Sequence, residues 1–213
     1  MSNFPAVTRV LLIINVLVFL AQMATGDTLL VHFALWPLGP QQLVPLHHSG
    51  LVVAGFEPWQ LISYSFLHGN ALHIGFNMIA LWMFGGPVEN ALGARRYTFY
   101  YFACVLGAAV AQLIVTHFFQ SNDFYPTLGA SGGVFGLLLA FAVLYPQAKV
   151  FLFFIPAPVP ARIAVVGYMI LELVLGVTGT QAGVAHFAHL GGALVGFALI
   201  VMWRAQASAR RQP

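Results

Sequence analysis

The sequence predicts an all-α polytopic membrane protein, a bundle of six membrane-spanning helices. Of its 213 residues, 60% are hydrophobic and only 6% are charged, whereas soluble domains carry about 25% charged residues. Several apolar stretches reach the ~20 residues that a helix needs to cross a hydrocarbon core of ~30 Å. The rest of the sequence leaves no room for a separate soluble domain, so we expect residues 1–213 to form a single membrane domain.

Six apolar windows, separated by Pro, Gly and charged residues, define the spans. We place them at approximately 9–25, 71–86, 97–118, 131–145, 161–178 and 187–203. Residues 26–70 contain aromatic residues such as Trp36 and Trp59 but no sustained apolar run, which predicts an outer loop lying in the membrane interface. Three prolines interrupt the apolar run VFLFFIPAPVPA, so we expect a connection there rather than a span.

The distribution of charge predicts the orientation of the bundle. With six spans, the termini and the even-numbered connections share one side of the membrane. That side would hold all eight cationic residues, namely Arg9, Arg95, Arg96, Lys149, Arg162, Arg204, Arg210 and Arg211. The opposite side would hold Asp27, Glu57 and Asp123 and no cation. Because Lys and Arg are enriched in cytoplasmic loops, we expect both termini and a basic tail at 204–213 to be cytoplasmic.

The same composition bounds the location and the partners of the protein. We expect an integral membrane protein of a bacterial inner or plasma membrane, with the lipid bilayer as its surroundings. The net charge of +3 reflects a scarcity of acids as well as the cations, so we expect no nucleic-acid partner. Cys104 is the only cysteine, which excludes an intrachain disulfide and a paired-cysteine metal site.

Few polar side chains fall inside the predicted spans, and each is a functional candidate because an unsatisfied polar group in hydrocarbon costs several kcal/mol. They are Asn15, His73, Asn77, Ser131, Glu172, His186 and His189. Spans two, four and six all start at the predicted outer face. Ser131, His189 and His73 therefore lie at a similar depth, and Asn77 shares a helix face with His73 because the two are four residues apart. These side chains can converge on one site near the outer surface.

Glycine spacing indicates that spans four and six approach each other closely. Gly132 and Gly136 form one G-x-x-x-G pattern, and Gly192 and Gly196 form another. Such patterns let the backbones of two membrane helices touch. A close approach would allow a Ser–His hydrogen bond, which requires about 2.6–3.2 Å between heavy atoms.

The fourth span is short, because the ~15 residues from Ser131 to Pro146 cover only ~22 Å of a ~30 Å core. We therefore expect its helix to begin below the outer surface. The free backbone N–H groups and the partial positive charge at a helix N-terminus suit an oxyanion that forms beside Ser131. His73 and Asn77 would add side-chain donors to the same oxyanion.

Each candidate also has a purely structural interpretation. Ser131 fits a helix contact or a cap, since small residues are favoured where membrane helices meet. His189 fits a buried histidine with satisfied hydrogen bonds, and the His73–Asn77 pair fits a tie between a loop and a helix. Glu172 fits either a proton relay or a helix–helix hydrogen bond, and its place in the middle of span five argues against direct chemistry with Ser131.

Three ordered motifs on alternate predicted helices resemble the rhomboid family of intramembrane serine proteases. They are LHGNALHIGFNMIALWMFGG (67–86), GASGGVFG (129–136) and AHFAHLGGALVG (185–196). The resemblance implies that Ser131 is the nucleophile and that His189 is the general base. It also implies that His73 and Asn77 help to hold the oxyanion. The backbone N–H groups of Ser131 and Ala130 would be further donors.

The same resemblance implies supporting roles for other residues. Phe135 stands where some relatives have a tyrosine that stacks on the histidine, and it can stack but not hydrogen-bond. His186, three residues before His189, is the rival base. No Asp is placed to orient the base, so the resemblance implies a Ser–His dyad and not a triad. The glycines expected to support the site are Gly129, Gly132, Gly136, Gly192 and Gly196.

These implied roles predict an intramembrane serine endopeptidase that cuts transmembrane segments of other membrane proteins, with no metal or cofactor. Two alternatives stay open. A catalytically inactive relative would use the same bundle to bind membrane clients. A metal-binding or transport protein would use histidine ligands, namely His68, His73, His186 and His189.

Overall fold

The computed structural model describes residues 5–46, 50–119, 124–150, 157–178 and 185–209. Within these ranges, five helices are long and apolar enough to cross a membrane, and one further apolar helix is shorter. The predicted all-α membrane class is confirmed. Five helices, not six, have the length of a full span, and the short one lies where the sequence predicts a short fourth span.

The spans follow the chain in the predicted order. The first is α1 (Ala6–Thr25). The second joins α4 (Ala71–Ala80) to α5 (Gly86–Leu92) through a π-helical stretch, Leu81–Gly85. The others are α6 (Ala94–Phe119), the short α7 (Ser131–Leu144), α8 (Ala161–Thr178) and α9 (His186–Ala209). Helix α9 therefore continues past residue 203, where the sixth span was predicted to end, and residues 210–213 of the predicted tail lie outside the described residues.

Helices α6, α7 and α9 form the centre of the bundle. A Cβ atom on Gly192 of α9 would collide with the backbone oxygen of Gly132 in α7. The two backbones therefore touch at this point, which is the close approach that the glycine spacing indicated.

The other glycine of each pair packs on α6. A Cβ atom on Gly136 would collide with Cys104, and one on Gly196 would collide with Tyr100. The hydroxyl of Tyr100 donates to the backbone oxygen of Gly136 at 2.7 Å. Each glycine pair thus packs its helix against two neighbours, whereas the sequence indicated only the contact between spans four and six.

The predicted outer loop 26–70 is largely folded. It contains α2 (Thr28–Phe33), the antiparallel strands β1 (Gln42–Leu46) and β2 (Gly50–Ala54), and α3 (Gln60–Ser63), which continues as a 3₁₀ turn, Tyr64–Phe66. In the hairpin, Gln42 pairs with Ala54 and Leu46 pairs with Gly50. The tip of the hairpin, residues 47–49, lies outside the described residues.

Backbone hydrogen bonds tie this outer segment to the residues that lead into α7. Leu35 donates to the oxygen of Thr127 at 2.9 Å, and Thr127 donates to the oxygen of Leu35 at 2.8 Å. The N–H of Gly129 donates to the oxygen of Tyr64 at 3.0 Å. The outer segment therefore helps to fix the path of the chain just before Ser131.

The proline-rich connection predicted between spans four and five is bounded by two short antiparallel strands. These are β3 (Lys149–Val150) and β4 (Val159–Pro160). Residues 151–156 of the connection lie outside the described residues.

The periphery of the bundle is apolar. Helix α1 exposes Leu17 and Leu20, and α8 exposes Val166 and Leu171. Large exposed apolar surfaces are unfavourable in water but suit contact with lipid tails. In contrast, the polar side chains of Asn77, Glu172 and His186 are buried.

Candidate active site

Ser131 is the first residue of α7, and the turn before it depends on a glycine. Gly129 has φ of +126°, a conformation that residues with a side chain rarely adopt. A Cβ atom on Gly129 would also lie 2.7 Å from Nε2 of His73, so glycine leaves room for that imidazole. No side chain of the described residues caps the N-terminus of α7. The first backbone N–H groups of the helix have no intrahelical acceptor and can serve a ligand.

The structure brings Ser131 and His189 into hydrogen-bond contact. The distance between Oγ of Ser131 and Nε2 of His189 is 2.8 Å. His189 lies in the first turn of α9, and Gly192, three residues later, is the glycine that touches the backbone of Gly132. The close contact between the two backbones thus places the imidazole within reach of the hydroxyl. The His189 side chain is 12% exposed, so the pair lies just inside the protein surface.

Glu172 of α8 contacts the other nitrogen of the same imidazole. Its Oε2 atom lies 2.9 Å from Nδ1 of His189 and 2.6 Å from Nδ1 of His186. His189 therefore lies between a serine hydroxyl and a carboxyl group. The sequence analysis expected no Asp to orient His189 and argued against direct chemistry between Glu172 and Ser131, whereas in the structure the carboxyl group of Glu172 contacts the imidazole of His189.

The depth of Glu172 explains why sequence reasoning set it aside. Helix α8 has the bounds predicted for span five, and Glu172 lies six residues before its last described residue, Thr178. At 1.5 Å per residue this is ~9 Å, and α9 returns into the bundle with His186 and His189 at its start. The sequence did contain a signal for this contact. A single acid, Glu172, lies in the second half of an apolar span, and two histidines lie at the start of the next span.

Aromatic rings form one wall around His189. Phe135 stacks on His189 with ring centroids 4.2 Å apart and an interplanar angle of 9°. On α8, Tyr168 packs against Phe135 with centroids 5.1 Å apart. Stacking restricts the rotation of the imidazole and excludes water from its face. Phe135 therefore has the stacking contact that the sequence interpretation assigned to it.

A cleft of about 650 Å³ opens beside the Ser131–His189 pair. Ser131, His189, His73 and Asn77 all line it, so the structure brings the four predicted side chains to one cavity. The amide nitrogen of Asn77 donates to the backbone oxygen of His73 at 2.9 Å. This bond uses one of the two N–H groups of the amide and leaves the other for a ligand.

His68 lies in the loop before α4 and packs edge-on against His73, with ring centroids 5.1 Å apart. Only 2% of its surface is exposed. Burial, and secondarily the nearby His73, lowers the pKa of His68 from 6.5 to about 4. His68 is therefore neutral at physiological pH and packs against His73 as an uncharged ring.

Among the residues that the structure describes, Glu172, His186 and His189 form a group that could hold a metal ion. The donor atoms of Glu172, His186 and His189 lie within 4.8 Å of one another. The sequence-based alternative instead joined the two histidines to His68 and His73, which contact each other in the loop before α4 and at its start. Two imidazoles and one carboxylate are ligands that suit zinc.

Comparison with known proteins identifies the family. The Rhomboid domain matches residues 55–206 of this chain. Rhomboid protein 1, mitochondrial, from Saccharomyces cerevisiae is 33% identical over 143 residues, which cover 64% of this chain and 39% of the relative. RHOMBOID-like protein 4 from Arabidopsis thaliana is 32% identical over 166 residues, which cover 76% of this chain and 39% of the relative.

A bacterial relative matches over a longer part of the chain. Rhomboid protease GlpG from Salmonella choleraesuis is 25% identical over 198 residues, which cover 91% of this chain and 61% of the relative. This chain thus spans between two fifths and three fifths of the length of these curated relatives. Because the domain match covers more than half of the sequence and the apolar helices fit a bilayer, this chain is an integral membrane protein of the rhomboid family.

Proposed function

We propose that this chain is an intramembrane serine endopeptidase. The observation that carries the proposal is the 2.8 Å contact between Oγ of Ser131 and Nε2 of His189 at the start of α7. A hydroxyl that donates to a neutral imidazole nitrogen is an activated nucleophile. The relative GlpG, which is named as a rhomboid protease, supports the same chemistry.

The first half of the reaction forms an acyl-enzyme. His189 takes the hydroxyl proton of Ser131 while Oγ attacks the carbonyl carbon of the scissile peptide bond. The new C–O bond turns the carbonyl oxygen into an oxyanion. His189 then returns that proton to the peptide nitrogen as the C–N bond breaks. An amine leaves, and the acyl group stays on Ser131.

The oxyanion is held by groups that surround the cleft beside Ser131. The backbone N–H groups of Ser131 and Ala130 lie at the N-terminus of α7, where the helix dipole also favours negative charge. His73 and Asn77 add donors from α4, which also lines the cleft. Removing one donor of this kind costs about 10²–10³ in rate in other serine hydrolases.

The second half of the reaction releases the acyl product. A water molecule enters the cleft and gives a proton to His189 as its oxygen attacks the acyl carbon. The bond to Ser131 breaks, and the serine oxygen takes the proton back from His189. The products are a carboxylate end and an amine end, and the enzyme returns to its starting state.

The substrate of this site is a transmembrane segment of another membrane protein, cut near its outer end. A helical segment hides its carbonyl groups in backbone hydrogen bonds, so it must unwind before Ser131 can attack. Glycine, proline or small polar residues near the cleavage site make unwinding easier. Gly132, Gly136, Gly192 and Gly196 let the helices pack closely around the site, and Gly129 leaves room for the ring of His73.

The proposal also includes the orientation of the bundle in the membrane. Both termini are cytoplasmic and the cleft opens toward the outer side, in a bacterial inner or plasma membrane. The support is the positive-inside asymmetry of the sequence, in which all cations fall on the side opposite Ser131.

Cleavage of a model transmembrane substrate by the protein reconstituted in lipid vesicles tests the function. Ser131→Ala and His189→Ala should each lower the cleavage rate by at least ~10³-fold, because the nucleophile and base act as a unit. Ser63→Ala is the matched control, since the hydroxyl of Ser63 donates to the backbone oxygen of Phe33 in the outer segment.

Two outcomes would contradict the proposal. Cleavage by Ser131→Ala at the rate of the unsubstituted protein would exclude Ser131 as the nucleophile. Tight binding of an intact substrate without any cleavage, by the unsubstituted protein and by Ser131→Ala alike, would favour the inactive client-binding alternative.

A further inference from the structure

Glu172 sits between two histidines in the interior of the bundle. Its Oε2 atom lies 2.6 Å from Nδ1 of His186 and 2.9 Å from Nδ1 of His189. The side chain of Glu172 is 5% exposed, and that of His186 is 4% exposed. A carboxylate that is buried within a membrane protein needs strong hydrogen-bond donors to remain charged. The two imidazoles supply them.

The carboxylate decides which nitrogen of His189 carries the proton. An ionised carboxylate only accepts hydrogen bonds, so Nδ1 of His189 must donate to it. The neutral imidazole then has its lone pair on Nε2, which is the atom 2.8 Å from Oγ of Ser131. The serine hydroxyl can donate to that lone pair. With the proton on Nε2 instead, His189 could not accept the hydroxyl proton at all.

The carboxylate of Glu172 would also stabilise the positive charge that forms on His189 during the reaction. When His189 takes the proton from Ser131 it becomes an imidazolium, and Glu172 is its nearest anion. In an interior from which water is excluded, this attraction is much stronger than in bulk water. His186 holds the same carboxylate oxygen from the other side and so fixes the direction in which Glu172 points.

From these contacts we propose that Glu172 is a positioning residue, which makes the catalytic unit a Ser131–His189–Glu172 triad built across α7, α9 and α8. The proposal rests on the proposed function of Ser131 and His189. Glu172 acts through His189 alone: it sets the tautomer of the imidazole, limits its rotation and stabilises its protonated form.

Glu172→Gln tests the triad, because the amide keeps the shape of the side chain and removes its charge. In the vesicle assay we expect kcat to fall roughly 10²- to 10⁴-fold, with KM little changed. Labelling of Ser131 by a fluorophosphonate probe, which needs no peptide substrate, should slow by a similar factor. His186→Gln keeps a donor for Glu172 and should lower kcat less than Glu172→Gln does.

The pH profile separates positioning from a merely structural role. Without the carboxylate, the imidazolium of His189 is less stable, so the acid limb of kcat/KM should move to lower pH in Glu172→Gln. The titratable groups that face His189 are His73 on α4, Tyr168 and Glu172 on α8, and His186 on α9. His186→Gln therefore also serves as the control for the second imidazole, and its acid limb should move less.

The same set of variants shows whether Glu172→Gln is folded and which of the two proposals a negative result contradicts. Thermal unfolding in detergent shows whether Glu172→Gln is folded, and if it is not, Glu172→Asp restores the charge and should label faster than the glutamine variant does. If the unsubstituted protein cleaves and Ser131→Ala does not, the proposed function stands. Folded Glu172→Gln with an unmoved acid limb and with kcat within twofold of the unsubstituted protein would then overturn the triad alone.

Zinc analysis of the purified protein adds one further outcome. The triad requires that Nδ1 of His189 carries a proton, and a metal ion on that nitrogen would replace it. We expect substoichiometric zinc and no change in the labelling rate with a chelator. Stoichiometric zinc bound by Glu172, His186 and His189 would contradict the assignment.

Discussion

His189, His186 and His68 carry the same imidazole ring, but each has different neighbours and so a different chemistry. His189 lies between the hydroxyl of Ser131 and the carboxyl group of Glu172. His186 contacts the same carboxyl group, and its side chain is almost fully buried. His68 is packed away from both, against His73. The role of each histidine follows from its partners, which the sequence does not specify.

Sequence reasoning did single out Ser131, His189, His73 and Asn77, because polar residues are rare in the apolar spans and these four start helices at one face. The family resemblance favoured His189 over His186 as the base. Sequence reasoning did not find the contact with Glu172, since that contact depends on which way α8 is rotated about its own axis. An apolar helix with a weak amphipathic pattern leaves its rotation undetermined.

At the residue scale, we expect His68 to make folding depend on pH. Its pKa is about 4 in the folded protein and 6.5 when exposed. Between these values the unfolded chain binds a proton that the folded protein does not, so the free energy of unfolding falls as pH drops from 6.5 toward 4. The full difference is about 3 kcal/mol at most. The stability is fully present above pH 6.5.

Thermal unfolding in detergent at pH 7 and pH 4.5 measures this effect. His68→Gln should show a smaller decrease in Tm between the two pH values than the unsubstituted protein does. His117→Gln is the matched control because His117 is exposed near the end of α6, and it should keep the original decrease. An equal decrease in all three proteins would show that burial of His68 does not contribute.

At the element scale, the site depends on backbone contact between helices. Gly192 touches Gly132 across the α7–α9 contact, and the same contact holds Ser131 near His189. The G-x-x-x-G patterns predicted that two helices approach. They did not predict that Gly136 and Gly196 pack on Cys104 and Tyr100 of α6, because a sequence pattern marks a face of a helix without naming the neighbour.

Gly192→Ala should therefore separate α7 from α9. The added methyl group would overlap the backbone oxygen of Gly132, and a backbone atom cannot move aside as a flexible side chain can. We expect a loss of ~1–3 kcal/mol in the free energy of unfolding and a large decrease in fluorophosphonate labelling of Ser131. Both are measured on the purified protein, by unfolding and by in-gel fluorescence.

Gly167→Ala is the control for that substitution. Gly167 lies within α8, and an added Cβ atom would meet nothing within 4 Å. This variant should keep the stability and the labelling of the unsubstituted protein. A Gly192→Ala protein that matched it in both measurements would show that the close contact is not needed to position His189.

At the scale of the whole molecule, the two ends of the bundle have different chemistry. At one end, Arg96 at the start of α6 lies 5.8 Å over the ring of Trp203, near the end of α9. At the other end, Ser131, His189 and His73 line the cleft beneath the folded outer segment. The positions of the charged and polar residues in the sequence predicted that the cations and the candidate site would lie at opposite ends of the bundle. The hairpin and short helices within 26–70 were not predicted, because they lack a sustained periodic pattern.

Single-cysteine labelling should confirm the orientation of the chain. Cys104 is fully buried, so an impermeant maleimide should not react with it. In intact cells we expect labelling of Gln42→Cys, which is exposed on β1, and no labelling of Ala209→Cys, at the end of α9. After permeabilisation both should react. The opposite pattern in intact cells would invert the proposed topology.

The central claim is that Ser131 is a nucleophile activated by His189, and mapping of a covalent adduct tests it most directly. The purified protein is treated with a fluorophosphonate probe, and the modified residue is located by peptide mass spectrometry. We expect the adduct on Ser131 in the unsubstituted protein and at least ~10³-fold slower modification in His189→Ala. An adduct on any other residue, or equal modification of Ser131 without His189, would contradict the account.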